Sequence, residues 1–178
     1  SLPSRWTYDF AQGGYASWSE PVVAGGFVFF ATGSRLLKLD ASTGAVVAEA
    51  PLADGTAYGC RPIYAKLVVV PLNNGRLQAL SALTLQTRWL TEALPAAERE
   101  AADGTTIFYD QQGLSTLTVS GDYLYAFTAA ADWSQTYEGW ALCVNAGTGA
   151  IRWMQKNTDA GYYWSGAASV GDHLVAAG

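Results

Sequence analysis

The sequence predicts an all-β protein made by repeating one sheet of four short strands. Three observations carry that expectation. A unit of about 41 residues recurs in two independent registers. Apolar runs of strand length alternate with turns bearing Gly, Asp, Asn and Thr. Gly is frequent (19 residues), aromatics reach 13% and charged residues only 14%, a balance that suits pleated, half-buried strands better than helices.

The first register aligns "LDASTGAVVA" (39–48), "LSALTLQTRW" (80–89) and "VNAGTGAIRW" (144–153). Asp40, Ser81 and Asn145 coincide, as do Thr43, Thr84 and Thr148. Each polar residue stands eight positions before Ala48, Trp89 or Trp153. Arg5-Trp6 repeats Arg88-Trp89 and Arg152-Trp153. The second register aligns "PVVAGGFVFF" (21–30), "PIYAKLVVVP" (62–71), "LTVSGDYLYAF" (117–127) and "ASVGDHLVAAG" (168–178). Pro21 to Pro62 and Asp40 to Ser81 are both 41 residues, whereas Ser81 to Asn145 is 64. The excess marks two insertions, one before and one within the third unit.

In the first unit the strands are expected at 18–24, 27–32, 35–40 and 45–51, joined by "GG", "GS" and "STG". Glycine supplies the positive φ of tight hairpins, while Asp, Asn and Thr start turns. "KLVVVPL" reads as a buried strand. The first insertion contains "LPAAEREAADG". Pro95 as a start, good helix formers through Ala102 and Gly104 as a stop predict a short helix. The second, 129–139, lengthens a hairpin and carries Trp133 and Tyr137.

Four short antiparallel strands every roughly 40–45 residues form the blade of a β-propeller, and an isolated blade must cover its apolar faces with neighbours. The repeat makes 1–178 one partial propeller: a blade end at 1–12, blades at 13–52, 53–92 and 113–158, an insertion at 93–112, and a partial blade at 159–178. The reading is a fragment or half of a full propeller. A second copy of the chain could complete it by self-association, the strand around Trp6 finishing the other copy's trailing blade.

Several classes are excluded. Net charge is −5 and no Lys/Arg cluster offsets it, which argues against nucleic acid as partner. No apolar run approaches the roughly 20 residues of a membrane helix, so no transmembrane segment is expected. "SLPSRWTYDF" lacks the layout of a leader peptide, but a leader removed earlier would leave the same start, so this excludes nothing. Cys60 and Cys143 form no CxxC pair and read as two buried thiols.

The pattern Ala/Leu-x-Asp-x-x-Thr-Gly-x-x-x-Trp resembles the tryptophan-docking repeat of the pyrroloquinoline-quinone-type (PQQ-like) propellers. The third unit matches best, through Asn145, Thr148, Gly149 and Trp153. The first keeps Asp40, Thr43 and Gly44 but has Ala48 for the Trp. The second keeps Thr84 and Trp89 and loses the Asp and the Gly. The resemblance covers essentially the whole chain and implies the architecture. It does not choose between quinoprotein dehydrogenases and non-enzymatic scaffolds such as outer-membrane assembly lipoproteins. It also implies an extracytoplasmic setting: secreted, periplasmic or cell-surface. Trp6, Asp40, Gly44, Trp89, Asn145, Gly149 and Trp153 are read as structural.

A quinoprotein site needs Ca²⁺ on converging oxygens, a catalytic Asp and commonly adjacent cysteines. Here Asp54, Asp103, Asp110, Asp122, Asp132, Asp159 and Asp172 are scattered and no cysteines adjoin. His173, the one histidine, replaces Phe27 and Tyr123 of the other units. No catalytic, metal or cofactor residue is therefore expected. The segments opening each blade, "GGYASWSEP", "GTAYGCRP" and "AGYYWSGA", repeat an aromatic before a small polar residue. Tyr15, Trp18, Tyr58, Arg61, Tyr162, Tyr163 and Trp164, with Trp133 and Tyr137 from the insertion, are the expected partner-binding set, since Trp, Tyr and Arg dominate binding hot spots. The expected function is a non-catalytic interaction module binding a protein or glycan through these loops. The alternative is a segment of a PQQ-dependent oxidoreductase.

Overall fold

The computed structural model describes residues 5–8, 21–55, 61–64, 66–112, 117–130, 137–158, 161–162, 167–170 and 173–176. Every regular element among them is a strand. The first sheet runs β1 (Val22–Ala24), β2 (Phe27–Thr32), β3 (Arg35–Asp40) and β4 (Val46–Pro51), each antiparallel to the next. The second repeats the order with β5 (Arg61–Tyr64), β6 (Leu67–Pro71), β7 (Leu77–Ser81) and β8 (Thr87–Leu90).

The insertion departs from the expected helix. Ala97–Glu100 (β9) pairs antiparallel with Thr106–Tyr109 (β10). The turn is built by Asp103, whose Oδ1 accepts from the Thr105 amide (3.0 Å) and hydroxyl (2.7 Å), with Gly104 at φ 80°. The Ala- and Glu-rich half is too short to hold a helix alone, because nucleation fixes several residues for its first bond. The β-branched and aromatic half, "TTIFY", after an Asp-Gly turn favours the hairpin.

The remaining strands are β11 (Gln111–Gln112), β12 (Thr118–Ser120), β13 (Tyr123–Phe127), β14 (Ala129–Ala130), β15 (Gly139–Asn145), β16 (Ile151–Asn157), β17 (Ala167–Val170) and β18 (His173–Ala176). The third four-stranded sheet is β12-β13-β15-β16, and β17 pairs with β18. The innermost strands β1, β5, β12 and β17 lie side by side in that order. The sheets therefore fan out from a common inner row.

Two cores hold the fan together. Phe29, Ala31, Leu36, Ala50 and Leu52 of the first sheet meet Val68, Val70, Leu72, Leu80 and Leu85 of the second. Val69, Leu77, Ala79 and Trp89 meet Leu117, Leu124, Ala126, Leu142 and Val144 of the third. Successive side chains of a strand point to opposite faces. Val68 and Val70 thus serve one core and Val69 the other, and a sheet covered on both sides needs an unbroken apolar run.

Candidate functional site

The equivalent turns share one construction. Asp40 Oδ1 accepts from the Ser42 and Thr43 amides, both at 2.9 Å, and from both hydroxyls. Those bonds, the Ser42 hydroxyl foremost, lower its pKa from the usual 3.8 to about 2. Asn145 Oδ1 plays the same part for Gly147 and Thr148, and Ser81 Oγ for Leu83 and Thr84. Residues 44, 85 and 149 all take positive φ, at 74°, 58° and 76°. Glycine fits there freely; Leu85 does not.

Each turn is met by a group from the chain segment or sheet before it. The Trp6 indole N–H donates to Ala41 O at 3.0 Å, and its ring lies where a Cβ on Gly44 would stand, 2.6 Å away. The Trp89 indole donates to Ala146 O at 3.0 Å and lies 2.7 Å from a Cβ on Gly149. Between the first and second sheets the corresponding residues are Ala48 and Leu85, and Lys38 fills the gap. Its ammonium donates to Ala82 O (2.9 Å) and Leu83 O (3.1 Å) and sits 4.1 Å from the centre of the Phe27 ring. Lys38 pairs across the strands with Ala48, as Ala79 does with Trp89 and Cys143 with Trp153. A large-small exchange across one strand pair is thus matched by Leu for Gly in the next turn. Trp153 has no such turn among the described residues. It is 40% exposed and lies over Tyr125 at 6.2 Å.

The inserted segment ties two sheets and presents a surface. Strand β11 pairs with β14, and Gln112 also bridges to Asn73. One strand thereby joins the middle hairpins of the second and third sheets. The β9–β10 hairpin is braced at its base by Tyr109 on Tyr137, ring centres 4.6 Å apart, with the Arg99 guanidinium 4.8 Å over Tyr137. Ile107 is exposed and Phe108 is 62% exposed.

Of the expected binding residues, Tyr137 braces the hairpin. Tyr162 packs edge-on against Phe127 and its amide donates to Thr128 O. Arg61 lies on β5. Tyr15, Trp18, Tyr58, Trp133, Tyr163 and Trp164 lie outside the described residues. The sequence reading missed Arg99, Phe108 and Tyr109 by taking the insertion for a helix. It missed Lys38 by not comparing Lys38, Ala79 and Cys143 at the aligned position.

A quinone with its Ca²⁺ would need several oxygen donors converging on one place. No group of three His, Cys, Asp or Glu gathers among the described residues. Cys143 is buried, and burial raises its thiol pKa, which keeps it protonated. Asp103 is engaged in its own turn, and Asp54 in an ion pair with Arg76 at 2.9 Å. These residues do not fit the group.

A fan of stacked four-stranded antiparallel sheets with adjacent inner strands is a β-propeller. The chain belongs to the family described as outer membrane protein assembly factor BamB, whose profile matches residues 4–176. No curated protein matches the sequence. Among solved structures, BamB from Moraxella catarrhalis is 18% identical at a TM-score of 0.55, covering 97% of this chain and 60% of that one. Quinohemoprotein alcohol dehydrogenase ADHIIG from Pseudomonas putida is 19% identical at 0.59, covering 76% of this chain and 20% of that one. The computationally designed Ika4 protein is 11% identical at 0.61, covering 93% and 94%. At these identities the likeness is one of fold. The chain spans about a fifth of the dehydrogenase's length and three fifths of BamB's.

Proposed function

We propose that this chain is a non-catalytic interaction module of an extracytoplasmic protein, and that it docks a protein partner with the β9–β10 hairpin. The observation that carries this reading is the hairpin itself. It interrupts a repeat that needs no such element, its base is braced by Tyr109, Tyr137 and Arg99, and it holds Phe108 62% exposed. An exposed aromatic on a rigid support loses little conformational entropy when a partner covers it. Membership of a family of outer membrane protein assembly factors supports a scaffold role and an extracytoplasmic location. The residues singled out in the blade-opening segments, Tyr15, Trp18, Tyr58, Arg61, Tyr162, Tyr163 and Trp164, together with Trp133, are further candidate partner contacts in this reading.

Photo-crosslinking in the native host tests it. A photoreactive phenylalanine analogue at position 108 is expected to give one discrete crosslinked protein, and at Val47, exposed on β4, none. Unmutated chain added as competitor is expected to weaken capture, whereas a Phe108→Ser competitor with the same unfolding midpoint is expected to leave it unchanged. Equal crosslinking from both positions, or none from 108, would overturn the reading.

A further inference from the structure

A second feature lies beside the bridging strand. Asp54, Gly55, Asn73, Asn74, Asp110 and Gln112 line an open cleft of about 370 Å³, within the range of small-ligand sites. They come from three segments: the link from the first to the second sheet, the β6–β7 hairpin and the bridging strand with the residue before it. We propose that this cleft binds a neutral carbohydrate, a mono- or disaccharide held by its hydroxyl groups. This goes beyond the protein-docking role of the hairpin and does not depend on it.

The walls are fixed by the backbone. The Asn73 amide donates to Gly55 O at 2.9 Å, and Asn73 bridges to Gln112. The Leu94 amide donates to Asn74 O at 2.9 Å. Gly75 is pressed onto the insertion so closely that a Cβ there would stand 2.6 Å from Leu94 Cδ1 and 3.1 Å from Gln111 Cβ. Arg76 is held by Thr91 O at 3.0 Å and in turn holds Asp54 at 2.9 Å. Strand alternation does the rest. Gln111 turns inward, fully buried, and accepts from the Thr128 hydroxyl, so Asp110 and Gln112 turn together toward the cleft.

Chemistry selects the ligand. Three primary amides each offer two N–H donors and an acceptor oxygen, and carboxylates only accept. The side chains of Asn73, Asn74, Asp110 and Gln112 make no hydrogen bond to any described residue. A cation would find Asp54 already paired with Arg76, leaving Asp110 as the one carboxylate to neutralise it, and with the amide oxygens turned inward the N–H donors would go unused. An anion would meet Asp110 unscreened, since Arg76 is already spent on Asp54. A polyol both donates and accepts at adjacent carbons and satisfies both kinds of group. The preset walls spare it the cost of ordering the site.

The test is titration of the isotope-labelled chain with glucose, N-acetylglucosamine, maltose and cellobiose, followed by amide chemical shifts. At least one sugar is expected to bind saturably and move the Asn74, Asp110 and Gln112 amides. Asn73→Ala and Gln112→Ala are each expected to weaken that sugar tenfold or more. Asp103→Asn, on the distant hairpin turn, is expected to leave it unchanged. Unfolding midpoints report whether each variant folds, and the shift map on the unmutated chain stands by itself if one does not. The proposal is overturned if no sugar moves those amides up to its solubility limit. It is also overturned if calcium chloride moves them and sugars do not, or if binding survives both alanine exchanges.

Discussion

Replacing Lys38 probes how the first two blades hold each other. The residue is 6% exposed, and its ammonium donates to Ala82 O and Leu83 O. Lys38→Met keeps the length of the stem and removes the donor, together with the cation over the Phe27 ring. Hydrogen bonds to a charged group contribute about 1.5–3 kcal/mol. Leu83 is exposed, so water can replace its lost donor. The expected loss therefore sits at the lower end, about 1.5–2 kcal/mol, or roughly 3–8 °C in Tm for a chain of this size. Lys38→Ala also removes three methylenes, at about 0.8 kcal/mol each, and so costs about 4 kcal/mol in all. The decisive variant adds Ala48→Trp and Leu85→Gly to Lys38→Ala. It installs the Ala79, Trp89 and Gly149 set found one interface further on. Urea unfolding is expected to show at least half the loss of Lys38→Ala recovered. The reasoning fails if Lys38→Met changes stability by less than about 0.5 kcal/mol, or if the triple variant is no more stable than Lys38→Ala.

Two further predictions concern the turns. Gly149→Ala puts a Cβ 2.7 Å from the Trp89 ring at φ 76° and should cost about 2–4 kcal/mol in urea unfolding. Gly104→Ala, at a similar φ of 80° with nothing within 4 Å, should cost only about 1–2 kcal/mol, and the difference measures the docked indole. Asp40 has its folded-state pKa lowered from 3.8 to about 2. A depressed carboxylate pKa gives stability that is present above 3.8 and lost as pH falls through about 2. Asp40→Asn keeps the acceptor oxygen, as Asn145 does, so its urea midpoint should vary less than the parent's between pH 4 and pH 2.

Much of the architecture was legible because the repeat is written twice, once in turn residues and once in apolar strands. A strand pair such as Phe27–Thr32 and Arg35–Asp40 is fixed by local alternation and a two-residue turn, and both were expected at those bounds. The hairpin at 97–109 was not legible. "AAEREAA" has strong helix propensity, and only its pairing with "TTIFY" across the Asp103-Gly104 turn makes it a strand. The candidate site was the least legible part. Asp54, Asn73 and Asp110 are far apart in sequence, and each reads as an ordinary turn residue until the bridging strand brings them to one cleft. Lys38 shows the intermediate case. Its role follows from three aligned positions and a missing Trp, but only once the turn it reaches is known.

The account rests on successive sheets being joined by a group that reaches the next turn, and hydrogen exchange of the tryptophan indole protons tests that most directly. Trp6 and Trp89 each donate to a turn carbonyl at 3.0 Å, whereas Trp153 is 40% exposed and meets no turn among the described residues. In the chain of residues 1–178, the Trp6 and Trp89 indole protons should exchange slowly and the Trp153 proton fast. Equal exchange at all three positions would contradict the stacking of the blades described above.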